Sequence, residues 1–518
     1  MPFELDRSSS DPLYRQVEAN VRGAIDSGRL RPGQRVPSVR ALASQLGVGR
    51  LTVATAYEQL AADGYVVSRM GFGTIVAPHV PVPPRHYGAS RDPAAPANGP
   101  RVAVRLPPIR SNALALAMRP HRRLGPMPRF DLRGGGSGGT GVAGGPGLTV
   151  GPVFERLLRE EWRTIATTSG SGFAADPAGD PLLRAAIAAH LRSTRGASCE
   201  PGQVVILSGA IIGIGAIARL WLGPDRRVVV EDPGDPLFRR ALSGSGADLF
   251  PVAIDSNGLQ PDGLPDAATV AVVGPSVHVP TGVSMPLARR VRLLSWAAGA
   301  GTIVVEDARA DDLTTRTAPP ACLQGLDDEG RVIHLGAFES LLHGGVRLSY
   351  AVVPTAILEP FVGALEALDP GPSPVQQRAL GRFVADGHLD RHLARVRRAL
   401  LERQDATLEA LERELGWLVE VRPAAGGTSV VATIADPAWT AGDVVRMAAD
   451  TGIAIDSLAS SRLRPAPDRE LVVDYGHHEP ADLRTAIRLL ARAVARPVVA
   501  TRGDRPRLPS LPPAASPA

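Results

Sequence analysis

The stretch RVPSVRALASQLGVGRLTVATAYEQLAADGYVVSRMGFGTIVA, residues 35–77, decides the fold of the N-terminal region. Ser38 after Pro37 is a natural N-cap, because its hydroxyl accepts a backbone N–H left free in a helix's first turn. Leu42, Ala43 and Leu46 then fall on one face of a short helix that Gly47 stops. A further helix begins at Gly49-Arg50 and turns Val53, Ala56, Tyr57 and Leu60 inward. Two short strands, around 65–69 and 74–77, flank the turn Met70-Gly71-Phe72-Gly73. Upstream, Leu13, Val17, Val21 and Ile25 recur every four residues, the stripe of an amphipathic helix closed by Gly28. Helix, helix–turn–helix and two-stranded wing outline a winged helix-turn-helix over residues 8–78.

In such a unit the third helix can lie in the major groove with its first turn nearest the base edges. That turn holds Gly49, Arg50, Leu51 and Thr52. Arg50 has the forked geometry for a bidentate contact to guanine, worth about 1–3 kcal/mol of base discrimination. Arg40, on the preceding helix, is placed for a phosphate, and Gly71 and Gly73 let the wing approach the backbone. The candidate DNA-contact set is therefore Ser38, Arg40, Gly49, Arg50, Leu51, Thr52, Gly71 and Gly73. An arginine on a solvated face explains Arg40 or Arg50 taken alone; the combination is more specific. Pro-Ser-x-Arg-x-Leu-Ala, Leu-Gly-Val-x-Arg-x-Thr-Val, Gly-Tyr and Gly-x-Gly-Thr stand in order, and the stretch resembles the DNA-binding domain of the GntR family of bacterial transcription regulators. The resemblance implies double-stranded DNA as partner. Ala54 departs from the pattern, since relatives often carry a basic residue there, which implies a softened or shifted operator preference.

Residues 79–149 read as a linker rich in Pro, Ala and Gly. Over 78–133 the chain holds ten arginines against Asp92 and Asp131, a balance of +8 where the whole chain carries +5. A solvated spacer is favoured over an arm that grazes phosphates. From 150 to 496 the pattern alternates strand and helix. QVVILSG, RRVVVEDP, ATVAVVGPS and GTIVVED are continuous Val/Ile runs, as expected for a parallel sheet covered on both faces. The tail, 497–518, is expected to be disordered.

GDPLLRAAIAAHLRSTRGASCEPGQVVILSGA, VVVEDPGDP, VGPSVHVPTGVSMPLARR, VVEDARADDL and HLGAFESLLHGGVRLSY follow one another between residues 179 and 350. They resemble, in order, segments of the fold-type I aminotransferase domain that follows the GntR head in the MocR subfamily. The resemblance implies a large, mainly parallel α/β domain, a smaller α+β domain, and a homodimer. In an active relative, pyridoxal phosphate is held by a lysine imine, an aspartate on the pyridine nitrogen, a stacking aromatic and phosphate-binding groups. The lysine position corresponds to Ser340. All 57 basic residues of this chain are arginine, so no lysine exists to move in, and an arginine with a pKa above about 12 is no nucleophile. Asp235 and Arg309 stand where tyrosines are usual, and Ile211 and Ile212 where relatives carry glutamine. Asp307, Arg347, Ser276 and Ser208-Gly209 are retained, with His278 nearby.

These residues, with Ala210, define a vestigial pocket: Ser208, Gly209, Ala210, Asp235, Ser276, His278, Asp307, Arg309, Ser340 and Arg347. No covalent cofactor is expected and noncovalent pyridoxal phosphate is disfavoured. A different small polar metabolite in the cleft is weighed slightly ahead of a scaffold that only pairs subunits, and an aminotransferase with a regulatory head is the remaining alternative. Cys199 and Cys322 provide neither a disulfide framework nor a zinc motif. No apolar run long enough for a membrane span and no signal peptide is read, so the expected setting is cytoplasmic.

Overall fold

The computed structural model describes residues 5–6, 11–27, 29–62, 65–69, 73–77, 128–133, 150–167, 176–316, 321–339, 341–342 and 346–495. They belong to two compact units, one within Met1–Pro107 and one within Pro108–Ala518. Among the described residues no helix is long and apolar enough to cross a membrane.

In the N-terminal unit α1 (Leu13–Asp26), α2 (Val39–Leu46) and α3 (Arg50–Ala62) precede β1 (Val66–Arg69) and β2 (Gly73–Val76). The apolar periodicity becomes the core: Val17, Val21 and Ile25 of α1 meet Leu42 and Ala43 of α2 and Val53, Ala56, Tyr57 and Leu60 of α3. Gly47 ends α2 in the left-handed region at φ 62°, a conformation that a side chain would strain. β1 and β2 pair antiparallel, with Val66 opposite Val76 and Arg69 opposite Gly73, to form the expected wing.

The second unit opens with β3 (Phe130–Asp131) and contains a sheet of eight strands. These are β4 (Val204–Leu207), β5 (Arg227–Asp232), β6 (Asp248–Asp255), β7 (Gly258–Leu259), β8 (Val270–Val273), β9 (Ile303–Asp307), β10 (Val332–Ala337) and β11 (Ser349–Val352). Their spatial order is β4-β11-β10-β9-β8-β5-β6-β7. The central strands β10, β9, β8, β5 and β6 are parallel, while β11 runs antiparallel between β10 and β4. Alternation decides the two faces. Val228 and Val230 turn to Ile214, Ile217 and Phe361 on one side, and Val229, Ala271 and Val304 to Leu293 and Ala297 on the other. The carboxyl ends of β5, β8 and β9 therefore converge on one rim, the place where open α/β sheets gather ligand groups.

The 28-residue helix His388–Leu415 leads to the smaller lobe. Here β12 (Val419–Val421), β13 (Ser429–Ile434), β14 (Ile453–Ala454), β15 (Asp456–Ser457) and β16 (Glu470–Asp474) follow in sequence. Four of them form an antiparallel sheet in the order β12-β13-β16-β15, whereas β14 pairs parallel with β3. This last pairing shortens the linker expected over 79–149. Residues 128–133 are part of the domain: Leu132 is 0% exposed, and its N–H donates to the Ala454 carbonyl at 2.7 Å. A strand of two residues has no periodicity to betray it. The tail from 496 lies outside the described residues.

Truncating Leu132 to alanine removes a fully buried side chain from this junction. Full-length Leu132→Ala is expected to lose about 2–5 kcal/mol of unfolding free energy in a urea titration. A loss within experimental error would mean that the segment is a spacer after all.

Candidate functional site

In the N-terminal unit the sequence-derived contact set occupies the start of α3, the start of α2 and the wing. Arg40, Gly49, Arg50 and Leu51 are exposed, and Thr52 is half-buried. Ser38 caps α2, accepting the Ala41 N–H at 3.2 Å. The Tyr57 hydroxyl donates to the Pro37 carbonyl at 2.8 Å and so ties α3 to the start of α2. Gly73 begins β2, and Gly71 lies outside the described residues.

In the second unit three of the expected pocket residues meet directly. Arg309 turns back on Asp307, its Nε 2.8 Å from Oδ1 and its Nη2 2.7 Å from Oδ2. The same Nη2 reaches Asp235 Oδ2 at 2.5 Å. The guanidinium lies 3.9 Å from the centre of the Phe238 ring, a cation–π stack. Burial opposes the charge on Arg309, but the two carboxylates outweigh it and hold the group protonated. Asp235 has a second task, capping the helix Pro236–Ser243 by accepting the Leu237 N–H at 2.7 Å. What remains open beside this cluster is a cavity of about 30 Å³ lined in part by Glu231, Gly234, Asp235, Phe238 and Asp307. That is the volume of roughly one water molecule, far below the roughly 300–1,000 Å³ of a small-molecule site.

The other expected residues stand outside this clamp. The Ser276 hydroxyl accepts from Arg195 Nη2 at 2.7 Å and Arg290 Nη2 at 3.3 Å, inside a buried network that also pairs Arg195 with Asp311 at 2.5 Å. His278 is buried, its Nδ1 2.7 Å from Thr281 Oγ1. Ser208, Gly209 and Ala210 follow the edge strand β4. Gly209 has φ 143°, and a Cβ built there would lie 3.1 Å from Glu339 Oε1, so a carboxylate already borders the turn. Arg347 is exposed, and Ser340 lies outside the described residues.

Glu231, which strand reading alone treats as the end of a Val run, is the residue that the sequence did not single out. Its Oε2 accepts the Gly274 N–H at 2.9 Å and stands 3.5 Å from His278 Nε2. Full burial raises its pKa to about 8, while burial lowers that of His278 to about 4. Both are therefore neutral near pH 7. Its neighbour Asp232 binds the N–H groups of Leu463 and Arg464, and Arg239 donates to the carbonyls of Ser460 and Ser461. The rim of the large sheet is thus bolted to the smaller lobe. Glu306, Cys322 and His334 also cluster, but Glu306 is engaged by the N–H groups of Leu323 and Gln324 and by His334, as a cap for the short helix Leu323–Leu326.

Comparison with known proteins matches residues 13–76 to the model of bacterial regulatory proteins of the gntR family and residues 147–425 to that of aminotransferase class I and II. The uncharacterized HTH-type transcriptional regulator YhdI of Bacillus subtilis is 30% identical over 95% of this chain and 98% of its own. The probable rhizopine catabolism regulatory protein MocR of Rhizobium meliloti is 29% identical over 94% and 95%. Among solved structures, a kynurenine aminotransferase of Pyrococcus horikoshii superposes with a TM-score of 0.62 at 23% identity, covering 72% of this chain and 92% of that one. This last likeness is one of fold.

Two predictions follow from the buried charges. Arg309→Met strands Asp235 and Asp307 and should cost about 3–5 kcal/mol of unfolding free energy; adding Asp235→Asn and Asp307→Asn should restore much of it. Persistent wild-type stability in the single variant would show that the clamp is not formed. The second concerns pH. Between 4.5 and about 8 the folded chain holds the Glu231 proton that the unfolded chain releases, so this group's contribution falls as pH rises. His278 acts oppositely between about 4 and 6.5. From 6.5 to about 8 only the Glu231 decline remains of the pair, with a slope of at most about 1.4 kcal/mol per pH unit. Glu231→Gln should flatten that limb in melting curves taken across the window; an unchanged slope would contradict the assignment.

Proposed function

Because the chain belongs to the gntR family of bacterial regulatory proteins, in the group that carries an aminotransferase class I and II domain, we propose that it regulates transcription with that domain emptied of its ancestral chemistry. The protein is a DNA-binding transcription regulator. Its aminotransferase-like domain takes no pyridoxal phosphate and turns over no substrate. It pairs two chains, so that two heads address two half-sites of an operator.

The observation that carries this reading is the bidentate grip of Arg309 on Asp307. Bound pyridoxal phosphate supplies an electron sink for substrate carbanions, and holding it there takes three things from the protein. A primary amine would attach it, and the chain has no lysine. A carboxylate would meet the pyridinium nitrogen, and Asp307 already spends both oxygens on a guanidinium. Donors would surround its phosphate, and the turn at Gly209 faces Glu339 while Arg347 points into solvent. The residues present do not fit the cofactor. Against a polar metabolite beside the clamp stands the size of the cavity there, about 30 Å³.

Purified full-length protein mixed with excess pyridoxal phosphate should show no imine absorbance band. After borohydride reduction and denaturing gel filtration it should carry no label at an internal residue, and amino-acid and keto-acid pairs should not exchange. An internal pyridoxyl adduct, or transamination above the cofactor-only rate, would overturn the proposal.

A further inference from the structure

We infer that Leu51 reads the 5-methyl group of a thymine in the major groove. The inference rests on the reading that the head meets DNA through α3, and deepens it by naming the group that is read. α3 buries Val53, Ala56, Tyr57 and Leu60. At about 100° per residue, Leu51 and Thr55 project roughly 160° from the centre of that buried stripe, on opposite sides of the outermost line, and Ala54 roughly 100° from it. Arg50 lies at the margin, about 60° from the stripe. The part of the first two turns that faces furthest from the core is therefore apolar or methyl-bearing.

Leu51 is 80% exposed, the most exposed large apolar side chain among the described residues. A leucine standing in water is ordinary when it is isolated on a neutral surface. Here it sits in the first turn of the helix that the fold offers to DNA, next in the chain to the exposed cation Arg50, and α2 adds exposed Arg40, cations that suit a phosphate-walled groove. On the major-groove edges of the four bases the one apolar group is the thymine 5-methyl. Ala54 and Thr55 extend the same surface without adding charge, Thr55 offering a methyl beside its hydroxyl. Arg50 and Leu51 thus divide the first turn into a donor fork and a methyl contact, matched to guanine and thymine respectively.

The test uses the full-length protein and duplexes enriched by it from a random pool. Each thymine of the enriched site is replaced singly by deoxyuridine, which deletes the methyl and leaves every hydrogen bond. One thymine per half-site should then weaken binding about fourfold, the equivalent of one buried methyl group. Leu51→Ala should bind the thymine and uracil duplexes equally, while Arg50→Ala keeps the fourfold ratio. Loss of the ratio in Leu51→Ala supports the inference. Enriched duplexes that are silent to uracil at every position, or a Leu51→Ala protein that retains the ratio, overturn it and leave DNA binding intact. If no duplex is enriched, the reading of α3 as the DNA-contacting helix falls and this inference with it. The uracil comparison needs no variant, and a matching melting curve would confirm that Leu51→Ala is folded.

Discussion

A guanidinium taken out of water must be met by acceptors placed at its edges, and at the rim of the large sheet those acceptors are carboxylates. Arg309 leaves the end of β9, returns onto Asp307 and reaches across to Asp235 in the loop after β5. Phe238, one turn into the helix that Asp235 caps, closes the face of the ion. Removing any one partner leaves a charge with poor access to water, so the members hold one another in place. The neighbouring residues carry the constraint outward. Asp232 and Arg239 bind the backbone of residues 460–464 in the smaller lobe, and the position of that lobe is thereby coupled to the loop that the clamp fixes.

The same geometry makes the end of β9 self-sufficient in charge. A side-chain cation tethered two residues away gives Asp307 a counter-charge from within the chain. The strand ends, the packed helices and the inter-lobe bonds then retain their electrostatic partner at every moment of the protein's life. Glu231 and His278 show the complementary strategy: deep in the same region, both resolve the cost of burial by staying neutral. Where charge survives in this core it is met by counter-ions, as at Arg309, or by a shell of acceptors, as at Arg290, which donates to the carbonyls of Met285, Pro275 and Ala321.

How much of this was legible beforehand depends on the range of the interaction. The head was readable almost to the residue, because Val17, Val21, Ile25, Val53, Ala56 and Leu60 announce their burial through local spacing and Gly47 through its turn chemistry. The alternation of Val runs foretold the parallel sheet for the same reason. Asp235, Asp307 and Arg309 were each singled out, but as groups lining a cleft; that they neutralise one another depends on two segments 74 residues apart, which no period encodes. Ser276 sits in a family-like motif yet serves Arg195 and Arg290, since the motif fixes the chain's path and not the direction of a hydroxyl. Glu231 passed unnoticed at the end of a strand whose apolar run dominates the pattern. β3 was hidden in a composition that reads as linker, because two residues of strand leave no statistical trace.

The distribution of chemistry between the two units follows from what each must recognise. In the aminotransferase-like domain Asp235, Asp307 and Arg309 engage one another within the chain. The head does the reverse, leaving Arg40, Arg50 and Leu51 exposed near the starts of α2 and α3. Cation–phosphate contacts supply affinity that weakens as salt rises, because each releases condensed counterions. Contacts to base edges supply the choice of sequence, and an apolar contact among them is insensitive to that release. Increasing ionic strength should therefore strip away binding to arbitrary DNA faster than it erodes the preference for an operator. A regulator built this way can search by charge and settle by the pattern of base edges.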